Sequence, residues 1–267
     1  MRRPHRVVVL TGDGALHRHT CAVLIRAGVH LVGVVVCSRS GVAARARFAV
    51  AWGSRHGWLT LASQVLGRLY DRVRNAAQDR MVLRRLVDEE ADRAVIRASR
   101  VPLAHTDSYS RTDTKQWIAG LDPDLLLVHT KYVVGRSVRA LAKVAVIGGH
   151  PGITPEYRGA YSPFWAIHRG DPGMVGCTVF LLDDGMDTGP VLFQGRPAVE
   201  PGIDSHLTLA WKGMMIQARE QAAVIQRLDR GETVTVRPIL QVPPHSYYGP
   251  PTLLDFMRYR RRQSQFR

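Results

Sequence analysis

The densest run of residues able to do chemistry is Gly148-Gly-His-Pro-Gly-Ile-Thr-Pro-Glu-Tyr-Arg-Gly159, which follows the apolar stretch Val144 to Ile147. A strand that gives out into a Gly- and Pro-rich loop at the carboxyl end of a parallel sheet lies where open α/β sheets bind their ligands. His150 is therefore expected to face a cleft, carrying a side chain that changes charge near neutral pH. A second unusual tract, Asp183-Asp-Gly-Met-Asp-Thr-Gly-Pro190, separates two further apolar stretches. Gly12-Asp-Gly14 follows the first apolar stretch and invites a dinucleotide reading, since Gly-rich turns cradle phosphates at helix N-termini. The third glycine of that fingerprint is His17 here, and a tight strand-to-helix turn accounts for the pair equally.

The elements around these loops follow from hydrophobic spacing. Arg6 to Leu10 and Leu31 to Cys37 read as buried strands on either side of a helix over His17 to Ala27. This β-α-β start predicts a parallel sheet with right-handed crossovers. Val42 to Arg93 changes to long amphipathic helix and reads as an insertion or lid. Its stripe of Leu61, Val65, Leu69 and Val73 is expected to pack against the sheet rather than to form a cofactor or lipid surface. Val95 to Leu103 is a candidate strand and Thr114 to Leu121 a helix; a strand over Asp124 to Val128 and a short helix over Ser137 to Ala142 follow. Ser162 to Arg169 is expected to be a helix capped by Ser162 with Pro163 at its first position. Strands over Val175 to Leu182 and Val191 to Gly195, a long helix over His206 to Asp229 and a basic, frayed tail over Arg258 to Arg267 complete the reading. The expected fold class is α/β: a Rossmann-like, doubly wound, mainly parallel sheet with a helical insertion at about 42–93 and a C-terminal helix. The expected organisation is one catalytic domain over 1–200, with 201–267 an appended helix and Pro-containing tail rather than an independent domain.

Composition narrows the function classes. The 267 residues include 37 Lys and Arg against 22 Asp and Glu, a formal charge of +15. Only Lys115, Lys131, Lys143 and Lys212 are lysines, and the arginines are scattered rather than striped, so a nucleic-acid partner is not expected. No apolar run approaches the ~20 residues of a membrane-spanning helix, and the N-terminal apolar stretch is far too short for a signal peptide. A cytoplasmic protein without a membrane partner is expected. Cys21, Cys37 and Cys177 are widely spaced and lack any Cys/His cluster. They imply neither a disulfide framework nor a metal site, and buried apolar roles are expected for them.

Tyr157-Arg-Gly159, Phe164-Trp-Ala-Ile167, Gly176-Cys-Thr178 and Asp184-Gly-Met-Asp-Thr-Gly-Pro190 complete a linked pattern around the His150 loop. The pattern resembles the 10-formyltetrahydrofolate-dependent formyltransferases, the superfamily of glycinamide ribonucleotide, methionyl-tRNA and sugar-amine formyltransferases. The resemblance is dense from about Asp124 to Gln194 and weaker from Arg6 to Cys37. It implies that His150 and Asp187 are the catalytic histidine and aspartate. It also implies that Lys131, Tyr132, Val133 and Val134 lie along the pterin of the formyl donor, 10-formyltetrahydrofolate, with Asp183, Asp184, Gly185 and Met186 forming a second pterin loop. Formyl transfer needs an amine proton removed and a donor for the developing oxyanion, which a histidine and a carboxylate can share.

One departure bears on catalysis. The family carries an asparagine two positions before the histidine, and here that position is Gly148; the single asparagine of the chain is Asn75. Losing one oxyanion donor typically costs about 10² to 10³ in rate. Replacements to consider are the N–H groups of Gly148 and Gly149 forming an anion-binding concavity, or His129, Thr130 or Lys131 on the neighbouring strand. The expected activity is formylation of a small-molecule amine, with a homodimer left open. The alternatives are a hydrolase or variant one-carbon enzyme, and a folate-binding protein impaired in catalysis. Methionyl-tRNA formylation is disfavoured because too little chain follows Gln194 for that enzyme's β-rich second domain.

Overall fold

The computed structural model describes residues 3–38 and 42–263. In chain order β1 (Val7–Gly12), α1 (Ala15–Arg26) and β2 (Leu31–Cys37) form the opening unit. A helical stretch of α2 (Val42–His56), α3 (Trp58–Leu86) and α4 (Glu89–Ser99) leads to β3 (Leu103–Thr106). Next come α5 (Thr112–Gly120), β4 (Leu125–His129), α6 (Arg136–Arg139) and β5 (Ala145–His150), then the two-residue β6 (Arg158–Gly159) and α7 (Ser162–Arg169). The chain continues through β7 (Cys177–Leu181), β8 (Val191–Gly195), α8 (His206–Asp229), β9 (Tyr247–Tyr248) and α9 (Leu253–Gln263).

Seven strands form one sheet in the order β3-β2-β1-β4-β5-β7-β8. The first five are parallel, and β7 and β8 are antiparallel to their neighbours. The apolar strands are continuous rather than alternating because both faces are covered. Val7, Val9, Leu125 and Leu127 pack with Leu24 of α1 and Ala222 and Ile225 of α8, whereas Val8, Leu10, Leu126 and Val128 pack with Ile118 of α5 and Val138 of α6. Each such Val or Leu contributes about 1.5–3 kcal/mol by leaving water. Between β1 and β4 the winding reverses, which opens a crevice at their carboxyl ends. Cys21, Cys37 and Cys177 are all buried and none is in a disulfide among the described residues, and burial pushes the Cys21 and Cys177 thiols up to about 12.

Several sequence expectations are corrected. The segment from Val95 to Ser99 is the end of α4 rather than a strand, and β3 begins only at Leu103: Asp88 caps α4 by accepting from Ala91 N–H, and Glu89, Glu90 and Asp92 sit favourably in its first turn. Its interior is then tied to α1 through Asp92, which meets His19 at 2.8 Å and Arg26 at 2.7 Å. The tail is not frayed up to Gln263. Thr252 and Asp255 cap α9 reciprocally, and Phe256 and Tyr259, both 2% exposed, pack on Phe164. Residues 264–267 lie outside the described residues.

The insertion stripe does not pack on the sheet. Val65, Leu69 and Val73 are 52%, 56% and 77% exposed. The buried face of α3 is instead Gln64, Gly67, Asp79 and Val82. Close approach of α9 at Gly67, where a Cβ would lie 2.7 Å from Phe256, turns the polar side of the helix inward. Among the described residues no helix is long and apolar enough to cross a membrane.

Candidate active site

His150 is the last residue of β5, and the loop behind it is pinned from β7 and β8. Thr178 Oγ1 donates to the Gly152 carbonyl at 2.8 Å and accepts from Thr154 N–H at 3.1 Å, and Gln194 donates to the Thr154 carbonyl at 2.6 Å. Gly152 is required by close approach: a Cβ there would stand 2.5 Å from the Tyr157 carbonyl and 2.7 Å from His150 Nε2. The imidazole is 6% exposed. Its Nε2 lies 2.9 Å from both the Tyr157 carbonyl oxygen and Ser162 Oγ. A carbonyl oxygen can only accept, so Nε2 carries a proton and Nδ1 is left to face the opposite side.

Nδ1 lies 3.5 Å from Asp187 Oδ2. Asp187 adopts a left-handed backbone at φ +53, which Asp tolerates better than most residues. Its Oδ2 accepts from Gly159 N–H at 3.1 Å. Arg158 secures the same contact by donating to the Met186 carbonyl at 3.0 Å and to Ser246 Oγ at 3.1 and 3.2 Å. The two loops therefore cross, with backbone bonds on both sides of the His–Asp contact.

The other candidate residues form an adjoining pair of loops. Lys131 is exposed with its ammonium over the Tyr132 ring, Tyr132 is half-buried, Val133 is 73% exposed, and Val134 is buried against the sheet. The backbone N–H groups of Val133 and Val134 donate to none of the described residues. Across from them, Asp183 accepts from Gly185 N–H and Thr188 Oγ1, both at 3.0 Å. Asp184 is held by Arg136 and Arg139 of α6, which keep its carboxyl below the usual range, and Met186 is 48% exposed. Arg139 also donates to the Asp183 carbonyl, so α6 ties the two loops together.

Gly148 sits within β5, opposite Val128 on β4 and Phe180 on β7. A Cβ there would lie 2.2 Å from Leu182 Cδ1 and 3.3 Å from Phe180 Cζ, so the Leu182 side chain fills the space beside it. Gly148 and Gly149 are both extended strand residues with cross-strand partners, so they do not form the anion-binding concavity considered from the sequence. His129 does not face Gly148 either. It contacts Thr20 of α1 at 3.3 Å on the opposite face of the sheet, and burial pushes its pKa down to about 3. Thr130 Oγ1 is engaged by Tyr132 N–H.

Sequence reasoning missed Ser162 as a site residue. It is not the cap: Tyr161 takes that place at φ +61, and Ser162 is the first helical residue with its hydroxyl on His150. The Ser-Pro pair was a visible signal of a helix start, but the partner of the hydroxyl is set by how α7 meets β5. Leu182 and the Gly159 N–H were likewise invisible as contacts, although Gly159 stood in the Tyr-Arg-Gly motif.

Comparison with known proteins places this geometry in context. The family profile described as Formyl transferase matches residues 73–228. A methionyl-tRNA formyltransferase of Synechococcus is 33% identical over 117 residues, 43% of this chain and 34% of that protein. A GDP-perosamine N-formyltransferase of Brucella melitensis is 30% identical over 115 residues, 43% of this chain and 44% of its own length. The chain thus spans about a third to a half of the curated relatives it matches. A phosphoribosylglycinamide formyltransferase from Bacillus halodurans has the same fold at a TM-score of 0.54 and 15% identity, covering 84% of this chain and 94% of that one. A sugar N-formyltransferase from Shewanella aligns at 0.55 and 13%, covering 96% and 87%.

Proposed function

The chain belongs to the formyl transferase family, and from that premise we propose that it moves a formyl group from 10-formyltetrahydrofolate to the amine of a small-molecule acceptor at the His150–Asp187 pair. The observation that carries this reading is the orientation of that pair. With Nε2 committed to the Tyr157 carbonyl, His150 presents Nδ1 beside Asp187 at 3.5 Å. In the imidazolium state Nδ1 donates a hydrogen bond where negative charge develops on the formyl oxygen. Asp187, fixed by Gly159 N–H, accepts the proton that the attacking amine must lose, and as the formyl carbon's bond to the folate nitrogen breaks a proton goes to that departing nitrogen. His150 keeps its aim because Nε2 is bonded on the side away from Asp187, and Asp187 keeps its place because its Oδ2, the oxygen nearest Nδ1, also accepts from Gly159 N–H.

The formyl donor fits the residues beside this pair. Exposed Val133 and Met186 offer apolar walls for a planar ring, and the uncommitted N–H groups of Val133 and Val134 offer donors at its edge. Residues 131–134 and 183–186 would hold the pterin, and when bound the folate supplies the formyl carbon. Where the family resemblance places an asparagine, Leu182 fills the space beside Gly148. We assign oxyanion stabilisation to His150 Nδ1 on that ground.

The test is incubation of the chain with 10-formyltetrahydrofolate while folate absorbance is followed, with and without a panel of sugar amines and amino acids. Amine-dependent turnover with a formylated product is expected. Turnover that ignores the amine would instead make the protein a hydrolase, and tight folate binding without turnover would make it a binding protein.

A further inference from the structure

The α3 helix has an apolar side that none of the described residues covers. Trp58, Leu59, Leu66, Leu69 and Val73 are 57%, 88%, 53%, 56% and 77% exposed. At 100° per residue these positions point roughly opposite to buried Gln64, Gly67, Asp79 and Val82. The stripe runs for about four turns, and exposed apolar area of this extent marks an interaction site in a globular protein.

Charge identifies the kind of partner. α3 carries six arginines, Arg68, Arg72, Arg74, Arg80, Arg84 and Arg85, against two aspartates. Both aspartates turn away from the stripe. Asp79 is 7% exposed and accepts from Ser205 Oγ at 2.7 Å, and Asp71 accepts from Asn75 and lies 3.8 Å from His206. The outer side of the helix thus combines Trp, Leu and Val with arginine and no carboxylate. α9, which crosses α3 at Gly67, adds exposed Leu254 and Met257 and four more arginines, Arg258, Arg260, Arg261 and Arg262.

We propose that the exposed face of α3 docks the protein on an anionic phospholipid surface, its apolar stripe entering the headgroup boundary and its arginines meeting lipid phosphates. A helix lying in the interface is built this way: aliphatic and aromatic residues on one side, basic residues flanking them. A second copy of this chain is a poorer occupant, because joining two such faces sets arginine against arginine without a carboxylate between them. The proposal stands apart from the formyl transfer reading and would survive its failure. It replaces the expectation, drawn from sequence, of no membrane partner.

The experiment is co-sedimentation of the whole chain with phosphatidylcholine vesicles, alone or mixed with roughly a third phosphatidylglycerol. Binding to the mixed vesicles is expected to exceed that to phosphatidylcholine by about tenfold or more, and to fall steeply between low and high salt. Trp58→Phe should remove most of the blue shift in tryptophan emission on binding. The neutral double variant Leu59→Gln/Leu69→Gln should weaken binding by roughly tenfold or more, with circular dichroism and Tm unchanged because both side chains already face solvent. No binding to the mixed vesicles, or equal binding by the double variant, overturns the proposal. So does a wild-type dimer that the double variant converts to monomer without either form binding vesicles, which would give the face to a second copy.

Discussion

His150 lies 3.5 Å from Asp187, and His206 lies 3.8 Å from Asp71; both imidazoles are more than nine-tenths buried. Depth and distance do not tell the pairs apart, but their surroundings do. His206 is wrapped by Tyr161, Phe164, Phe256 and Tyr259, with ring centroids at 5.6 to 5.8 Å, and its Nδ1 has no hydrogen-bond partner among the described residues. Aromatic burial without a polar partner penalises the charged ring, so its pKa falls to about 4. His150 meets polar atoms on both sides and sits where two strand-end loops cross. A histidine beside an aspartate thus becomes a candidate acid–base pair when backbone groups fix its tautomer, and a packing element when rings exclude everything else.

The largest effect should come from breaking the first pair. His150→Ala and Asp187→Asn are each expected to lower kcat/KM for formyl transfer by about 10³ or more while leaving the thermal midpoint near wild type. A loss under tenfold would remove the pair from the chemistry. The equivalent change at the second pair, His206→Phe, should leave kcat/KM within about twofold, and an equal loss there would erase the distinction.

The next effect concerns Gly148. Gly148→Asn alone should destabilise by roughly 1–3 kcal/mol, since Leu182 occupies the needed space. Combined with Leu182→Ala it should regain stability in denaturant melts and raise kcat by up to about 10². A fall in kcat for the stable double variant would show that the glycine belongs to this protein's own mechanism. Ser162→Ala is expected to cost less, about tenfold in kcat, by freeing the imidazole it holds. The conservative Ser162→Thr should restore part of the loss if its role is to position the ring.

The smallest effect sharpens the comparison through pH. His206 has a folded pKa of about 4 against an ordinary 6.5, so the unfolded chain binds the extra proton between those values. Its contribution to stability is present above 6.5 and is lost as pH falls toward 4. Burial raises Asp71 to about 6, which works in the opposite sense: stability is lost as pH rises from 3.8 to 6. His206→Phe removes only the first contribution. Its Tm advantage over wild type should therefore be greater at pH 5 than at pH 7.5, by a few degrees or roughly 1 kcal/mol. An advantage that does not change with pH would mean that His206 is not held neutral.

Much of the molecule was legible in the residues. Unbroken Val/Leu stretches named the central strands, because only a strand covered on both faces reads that way. The Gly- and Pro-rich loop after β5 and the Asp-Gly-Met-Asp-Thr-Gly tract named the candidate site, because such backbone is uncommon and follows the ends of strands. Three things were not legible, and each for a physical reason. The helical stripe was the right pattern assigned to the wrong neighbour: periodicity reports that one side of α3 is apolar but not which side the fold buries, and that was decided by Gly67 admitting α9 and by Asp71 and Asp79 finding partners in His206, the first residue of α8, and Ser205, its cap. The strand expected at Val95 lost to a capped helix, since local cap chemistry outweighed a short apolar run. Ser162, Leu182 and Gly159 acquired their roles from distances between segments far apart in the chain. Local propensity and periodicity are properties of sequence, so the elements and the reactive residue types were determined there. Which faces meet, which histidine is held by polar atoms and which by rings, and what occupies the space beside Gly148 depend on packing between elements, and only the tertiary structure decided them.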